Sequence, residues 1–246
     1  MYKQKASDLK TLNNILGFHL DDSNYQARMG QNQNELEVRF GTRNIKKITK
    51  ITFDNVIKKL KSLGYTSSNE SGNHILKIQT EFEDPRSGEI KLSNIRSEIS
   101  GISNIQEYCQ TNSIQKIIES NPYKSVVSFD SKVNAMDNNN GKIFPIKNND
   151  FNLKISYQTE SQLPIRSKVV QRIITKWSDS KKYFRYMNRV TFIHNDYPIK
   201  IELSIVKTSN IDKNYDPILE YNFEDADILN NPEIYEIEIE LMNDMV

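Results

Sequence analysis

The 246 residues carry 33 Lys+Arg against 32 Asp+Glu, a formal net charge of +1, and are 37% hydrophobic. That balance excludes the bulk basicity of a general nucleic-acid coat, so any attraction for polyanions has to come from charges sorted within the fold. The length suits a single domain over 1–246, or one domain of a longer protein. Cys109 alone forms no internal disulfide, and His19, His74 and His194 without a second cysteine make no zinc constellation, so a reducing intracellular setting is expected. No apolar run approaches the ~20 residues of a membrane span, and the first residues lack the apolar core of a signal peptide. A soluble, unexported protein with no membrane partner is expected.

Residues 1–33 are polar, with a weak helical pattern through Leu9, Leu12, Ile15 and Leu16. From Asn34 to Gly41 (Asn-Glu-Leu-Glu-Val-Arg-Phe-Gly) charged and apolar residues alternate strictly, the period of a strand. Phe53, Val56, Ile57, Leu60 and Leu63 recur at helical spacing opposite Lys58, Lys59 and Lys61, and Gly64 stands where that helix should stop. Strands are predicted over 73–83 and 89–99, joined by the turn Asp84-Pro85-Arg86-Ser87-Gly88. Ser103 with Gln106 fits a capping box that opens helical patterns through Ile105, Tyr108 and Cys109, then Ile114, Ile117 and Ile118, as far as Pro122. A strand over 123–133 and a polar surface loop over 136–149 follow. The remainder is almost all β, with strands predicted over 151–160, 168–177, 182–194, 198–207 and 234–242, a loop around 209–217 and a short helix near 223–229. The last strand, from Tyr235 to Leu241, repeats the strict alternation of glutamate with apolar residues.

About eight strands with few helices point to a mainly β, α+β fold: a closed antiparallel eight-stranded β-barrel, since closure removes exposed edges. One face of these strands holds Glu35, Glu37 and Arg39; Lys154, Ser156, Gln158 and Glu160; Arg185, Met187, Arg189 and Thr191; Lys200, Glu202 and Ser204; and Glu236, Glu238 and Glu240. An ordinary barrel would turn that face to solvent and fill its centre with the apolar one. Here the acids sit on the first and last strands and the bases on the middle ones, and the amphipathic helices need an apolar wall to cover. A charged lumen with flanking helices follows. Carboxylates at i and i+2 lie roughly 7 Å apart, and at an effective dielectric near 20 each such pair repels by roughly 2 kcal/mol. The five glutamates 35, 37, 236, 238 and 240 therefore call for a hard divalent cation.

The motifs resemble those of the triphosphate tunnel metalloenzymes, specifically the metal-dependent RNA 5′-triphosphatases of fungal and large-DNA-virus mRNA capping systems. The family's first strand, Glu-x-Glu-x-basic, is similar to Glu35, Glu37 and Arg39, and its last, Glu-x-Glu-x-Glu, to Glu236, Glu238 and Glu240. A middle Arg-x-Ser-x-Asn-x-Glu strand resembles Lys154 to Glu160, a basic strand ending Arg-x-Ser/Thr-aromatic resembles Arg189 to Phe192, and an Arg-x-Asp-x-Thr strand resembles Lys200 to Ser204. Met187 departs from the pattern where a base is expected, which leaves phosphate contacts on that strand to Arg185 and Arg189.

The resemblance implies hydrolysis of the β–γ anhydride of triphosphate-ended RNA, the first step of capping, with free nucleoside triphosphates as side substrates. It implies Mg²⁺ or Mn²⁺ on Glu35, Glu37 and two or three of Glu236, Glu238 and Glu240, with Arg39, Lys154, Arg185, Arg189 and Lys200 gripping phosphate. Glu160 or another lumen carboxylate would orient the attacking water. Ser156, Glu202 and Ser204 would stand beside the substrate, the last two through the bases they pair with, and Arg96, Arg172 and Lys176 would line the tunnel. Covalently linked guanylyltransferase and methyltransferase domains are implied too, as in the N-terminal module of a giant-virus capping enzyme, placing a viral protein in the virion or a cytoplasmic virus factory. Two other readings stay open. One is a CYTH-type small-molecule triphosphatase or cyclase, which typically has Lys where this chain has Arg39; the other is a non-catalytic polyphosphate- or nucleotide-binding module. A structural β-sandwich with solvent-facing charges is the bland alternative.

Overall fold

The computed structural model describes residues 12–19, 33–41, 47–136, 143, 145–148 and 152–242. In chain order these form α1 (12–19), β1 (Gln33–Phe40), α2 (Lys50–Ser62), β2 (Asn73–Glu83), β3 (Ile90–Leu92), β4 (Ile95–Ser100), α3 (Ile102–Thr111) and α4 (Ile114–Ser120). Then come β5 (Val127–Asn134), β6 (Ile146–Asn148), β7 (Leu153–Gln162), α5 (Lys168–Thr175), β8 (Lys182–His194), β9 (Tyr197–Thr208) and β10 (Ile234–Leu241). Eight strands hydrogen-bond in the order β1-β10-β9-β8-β2-β4-β5-β7, and β7 pairs again with β1, so the sheet closes into a barrel. Every neighbouring pair is antiparallel. Short β3 and β6 add to β2 and β7 outside the ring.

Strand alternation sends the apolar side chains outward, where the helices cover them. Leu76, Ile78, Ile99, Phe129 and Phe184 pack under Ile105 and Tyr108 of α3, Ile114 and Ile117 of α4 and Val170 of α5. On the opposite wall Phe192, Ile201, Leu203 and Ile237 meet Phe53 and Leu60 of α2. Leu36 and Tyr157 pack against Ile15 of α1. Gly41 ends β1 at φ +77°, and a side chain there would meet Ile48 at 2.9 Å and the Tyr235 carbonyl at 3.1 Å. Among the described residues no helix is long and apolar enough to cross a membrane.

Several predicted elements are corrected. Residues 168–177 are not a strand; α5 forms because the Ser167 hydroxyl accepts a hydrogen bond from the Val170 N–H, and Val170, Ile173 and Ile174 then share one helix face against the core. Arg172 and Lys176 consequently lie outside the lumen, in an outer groove with Phe82, Pro85 and Ile90. The segment 89–99 is two strands, because the Ser93 N–H bonds back to Thr80 and its hydroxyl accepts from the Ile95 N–H. Ser103 makes no capping box: Gly101, at φ +92°, precedes the helix and Ser103 falls in its first turn. The strand predicted over 123–133 begins only at Val127, the short helix near 223–229 reduces to a 3₁₀ turn at Ile228–Asn230, and the 136–149 loop holds the short strand β6. The early part of the N-terminal helical pattern and most of that loop lie outside the described residues.

Outward packing of the sheet makes a direct prediction for Ile78, fully buried between β2 and the helices. Ile78→Ala should destabilise the fold by about 2–5 kcal/mol, measured as a drop in the urea unfolding midpoint. An unchanged midpoint would mean that this face does not carry the core.

Candidate active site

Register places the charged residues around the barrel interior. Glu37 of β1 faces Ser156 on one side and Glu240 on the other, and Arg39 faces Lys154 and Glu238. Further round, Glu238 faces Glu202 and Glu236 faces Ser204, while Arg189 faces Ser204 and Thr191 faces Glu202. Acids on β1 and β10 are thereby brought within reach of bases on β8 and β9.

The arginines reach three of the five end-strand glutamates, Glu37, Glu236 and Glu238. Arg189 donates from Nη2 to Glu238 Oε2 (3.0 Å) and from Nε to Ser204 Oγ (3.1 Å), and its Nη1 lies 2.5 Å from Glu202. Arg39 Nε lies 2.6 Å from Glu238 Oε1, a contact of opposite charges without good hydrogen-bond alignment, and its Nη2 lies 3.3 Å from Glu37. Arg185 donates to Glu236 at 2.5 Å. Burial alone would raise the Glu238 pKa, but Arg39, Arg189 and Arg185 outweigh it and hold this carboxyl at about 2.

The other glutamates gather around lysines. Lys132, which none of the motifs marks, donates to Glu35 (2.7 Å) and Glu37 (3.1 Å) and lies 3.8 Å from Glu160. Its signal in the sequence is the alternation Ser128, Asp130, Lys132 opposite Val127 and Phe129. Lys200 lies 3.0 Å from Glu240 and Arg96 donates to Glu160 at 3.1 Å. Lys77 of β2, also unmarked by any motif, pairs with Glu98 at 2.5 Å. Lys154 makes no ion pair among the described residues, and burial with the Arg39 charge across the strand pair pushes its pKa down. Arg39, Lys154, Arg185, Arg189, Lys200, Arg96, Glu160, Ser156, Glu202 and Ser204 thus converge on the lumen with all five end-strand glutamates; of the expected residues only Arg172 and Lys176 do not.

Negative charge nevertheless exceeds its local compensation on one side. Burial raises Glu160 to about 7, helped by a hydrogen bond to Glu35 and by the Glu35 charge; burial and Glu35 likewise raise Glu240 to about 7. The Ser156 hydroxyl, directly across from Glu37, is buried without a hydrogen-bond partner. An all-oxygen donor set with carboxyls under mutual repulsion and an orphaned hydroxyl fits a hard divalent cation. Among the described residues no three acidic side chains converge as a ready metal cluster; the Lys132 ammonium stands between Glu35 and Glu37 instead.

The crowding has a pH signature. Glu160 and Glu240 retain a proton in the folded state up to about 7 rather than the ordinary 4.5. Between these values the folded state binds more protons than the unfolded, so stability falls as pH rises across that window. Without divalent metal, urea midpoints should therefore decline over the window, Glu240→Gln should lessen the decline, and Mg²⁺ should offset it. A flat profile, or one unaltered in Glu240→Gln, would contradict the assignment. Glu238 has the opposite sign, contributing stability that is lost only as pH falls towards about 2.

No protein-family model matches the sequence, and no curated protein matches it. Among solved structures, the Mimivirus capping enzyme triphosphatase aligns over 85% of this chain and 81% of its own at 21% identity and TM-score 0.54. The RNA triphosphatase Pct1 of S. pombe aligns over 93% and 78% at 12% identity with TM-score 0.46, too distant to argue from. The chain has the closed eight-stranded barrel fold of a capping-enzyme triphosphatase.

Proposed function

We propose that the chain is a metal-dependent RNA 5′-triphosphatase, removing the γ-phosphate of triphosphate-ended RNA to leave a diphosphate end. One observation carries this reading: a closed lumen where guanidinium and ammonium groups on the middle strands face carboxylates on the end strands. Such a lumen suits a linear polyanion plus a cation, and the likeness of fold to the Mimivirus triphosphatase supports the choice. Arg39, Arg185, Arg189, Lys200 and Lys132 hold the phosphate oxygens by exchanging their carboxylate partners for phosphate, and Lys154, with no ion pair among the described residues, holds them directly. Glu35, Glu37 and Glu240 form the metal-holding set: Glu37 and Glu240 face each other across β1 and β10, the Glu35 charge crowds Glu240, and the orphaned Ser156 hydroxyl stands opposite Glu37. Bound there, Mg²⁺ or Mn²⁺ supplies Lewis-acid neutralisation of the γ-phosphate.

In this mechanism Glu160, fixed by Arg96, orients the attacking water, while Arg185 and Arg189 stabilise charge on the departing diphosphate. Glu202 and Ser204 hold the Arg189 fork in place. Tyr183 is the one aromatic side chain on the inward rows of the described strands, and no aromatic pair stands there to sandwich a base, so free nucleoside triphosphates are side substrates with weak base preference. Capping also implies linked guanylyltransferase and methyltransferase domains in the full-length protein, which belong to the same proposal.

RNA labelled separately at the β- and γ-phosphates should release labelled orthophosphate only, with the β label retained and chelation abolishing turnover. Labelled pyrophosphate would overturn the reaction class. Glu37→Gln, which keeps shape and loses charge, should lower turnover by roughly 10²–10³. Arg189→Lys should recover only part of the activity lost in Arg189→Ala, since an ammonium cannot reproduce the guanidinium fork.

A further inference from the structure

The tunnel is polar from end to end. Antiparallel pairing brings the start of β1 together with the ends of β7 and β10 at one rim, towards which lie Glu35, Glu160 and Glu240. Towards the other rim, where β1 ends and β7 and β8 begin, lie Arg39, Lys154 and Arg185. Each end holds one charge of the opposite sign, and both are paired: Lys200 with Glu240 at the acidic end, Glu236 with Arg185 at the cationic end. A triphosphate whose γ end rests on a metal at Glu35, Glu37 and Glu240 therefore lies with its α-phosphate towards the cationic rim. The nucleoside leaves the lumen there.

Tyr183 stands at that rim, one inward position beyond Arg185 on β8 and in register with Gln79 of β2. Its side chain is half-buried and belongs to none of the three apolar clusters outside the barrel. Among the described residues the ring meets no other ring and no cation, and its hydroxyl makes no hydrogen bond. Its chain neighbours, by contrast, are fixed. Phe184 turns outward onto Phe223, and the Lys182 ammonium lies over Trp177 and donates to the Ser180 and Tyr221 carbonyls. Beside the ring, the Gln79 amide nitrogen donates to the Ser93 carbonyl at 2.7 Å, which orients the amide and leaves its oxygen without a partner. A firmly seated strand thus presents one uncovered aromatic face and one oriented acceptor where the nucleoside emerges. A lone ring stacks on any base, because every base has a π-face.

We propose that triphosphate-ended RNA enters the tunnel by the rim where β8 begins, and that its first base stacks on Tyr183 beside the Gln79 amide. This rests on the triphosphatase reading and adds to it the direction of the substrate and the seat of its first nucleoside.

Two measurements test it, both on RNA whose 5′ end is a non-hydrolysable β,γ-imido triphosphate, bound with Mg²⁺. The first compares dissociation constants for this RNA and for inorganic tripolyphosphate, which has no base. Tyr183→Leu should weaken RNA relative to tripolyphosphate by about 10-fold, the loss of one base stack, and Tyr183→Phe should restore the parent ratio. A leucine variant whose ratio stays within about twofold of the parent overturns the stack, as does a phenylalanine variant no better than leucine. The second places 4-thiouridine as the first base and maps its photocrosslink on the parent protein. The crosslink should fall on Tyr183 or Gln79; one at the opposite rim, around Gln162 or Thr191, or none at all, overturns the direction. Because it needs no variant, this measurement decides the matter if Tyr183→Leu does not fold. A parent protein that neither binds tripolyphosphate nor hydrolyses triphosphate-ended RNA overturns the triphosphatase reading itself, whereas an active parent that fails the two measurements overturns only the seat at Tyr183.

Discussion

Carboxylates that face the inside of a closed barrel have little bulk water to solvate them, and each has to find a cation or take up a proton. Both outcomes occur here. Glu238 stays ionised between two arginines, whereas Glu160 and Glu240, crowded by Glu35, hold their protons to about 7. This constraint explains why the lumen acids are set beside bases of neighbouring strands, as Glu238 is beside Arg39 and Arg189 and Glu98 beside Lys77. It also explains why the apolar residues point outward, where α1 to α5 are needed to cover them. Charge inside dictates grease outside, and the helices are the consequence.

A lumen whose arginines are already paired with its own carboxylates cannot receive a triphosphate on them without partner exchange. The pairs Arg185–Glu236, Arg189–Glu238 and Lys200–Glu240 keep the cations oriented in the absence of substrate, which is the preorganisation that electrostatic catalysis requires. Glutamates freed by that exchange need another cation, and so phosphate and divalent metal should enter together.

How much of the fold is legible in the sequence follows from periodicity. The strands from Gln33 and from Ile234 announce themselves, since strict alternation of glutamate with aliphatic residues gives a strand one charged and one apolar face, and from these two follow the barrel and its charged lumen. α5 reads as a strand because Val169, Val170, Ile173 and Ile174 carry a β-branched signature, while the deciding feature, the Ser167 cap, is a single hydroxyl. Lys132 and Lys77 are hidden for a different reason. Each is the lone base among neutral or acidic neighbours on its strand, and only the register that sets Lys132 beside Glu35 and Lys77 beside Arg185 gives it meaning. The pairing of the end-strand glutamates with arginines or with lysines likewise depends on cross-strand register, which no single segment encodes.

The central claim is that the end-strand glutamates turn inward and hold a cation at Glu35, Glu37 and Glu240. Anomalous diffraction from crystals soaked in Mn²⁺ tests it most directly. The account predicts a manganese peak within coordination distance of these three carboxylates, with the Lys132 ammonium withdrawn from between Glu35 and Glu37. A peak on Glu236 and Glu238, or none in the lumen at millimolar Mn²⁺, would contradict it.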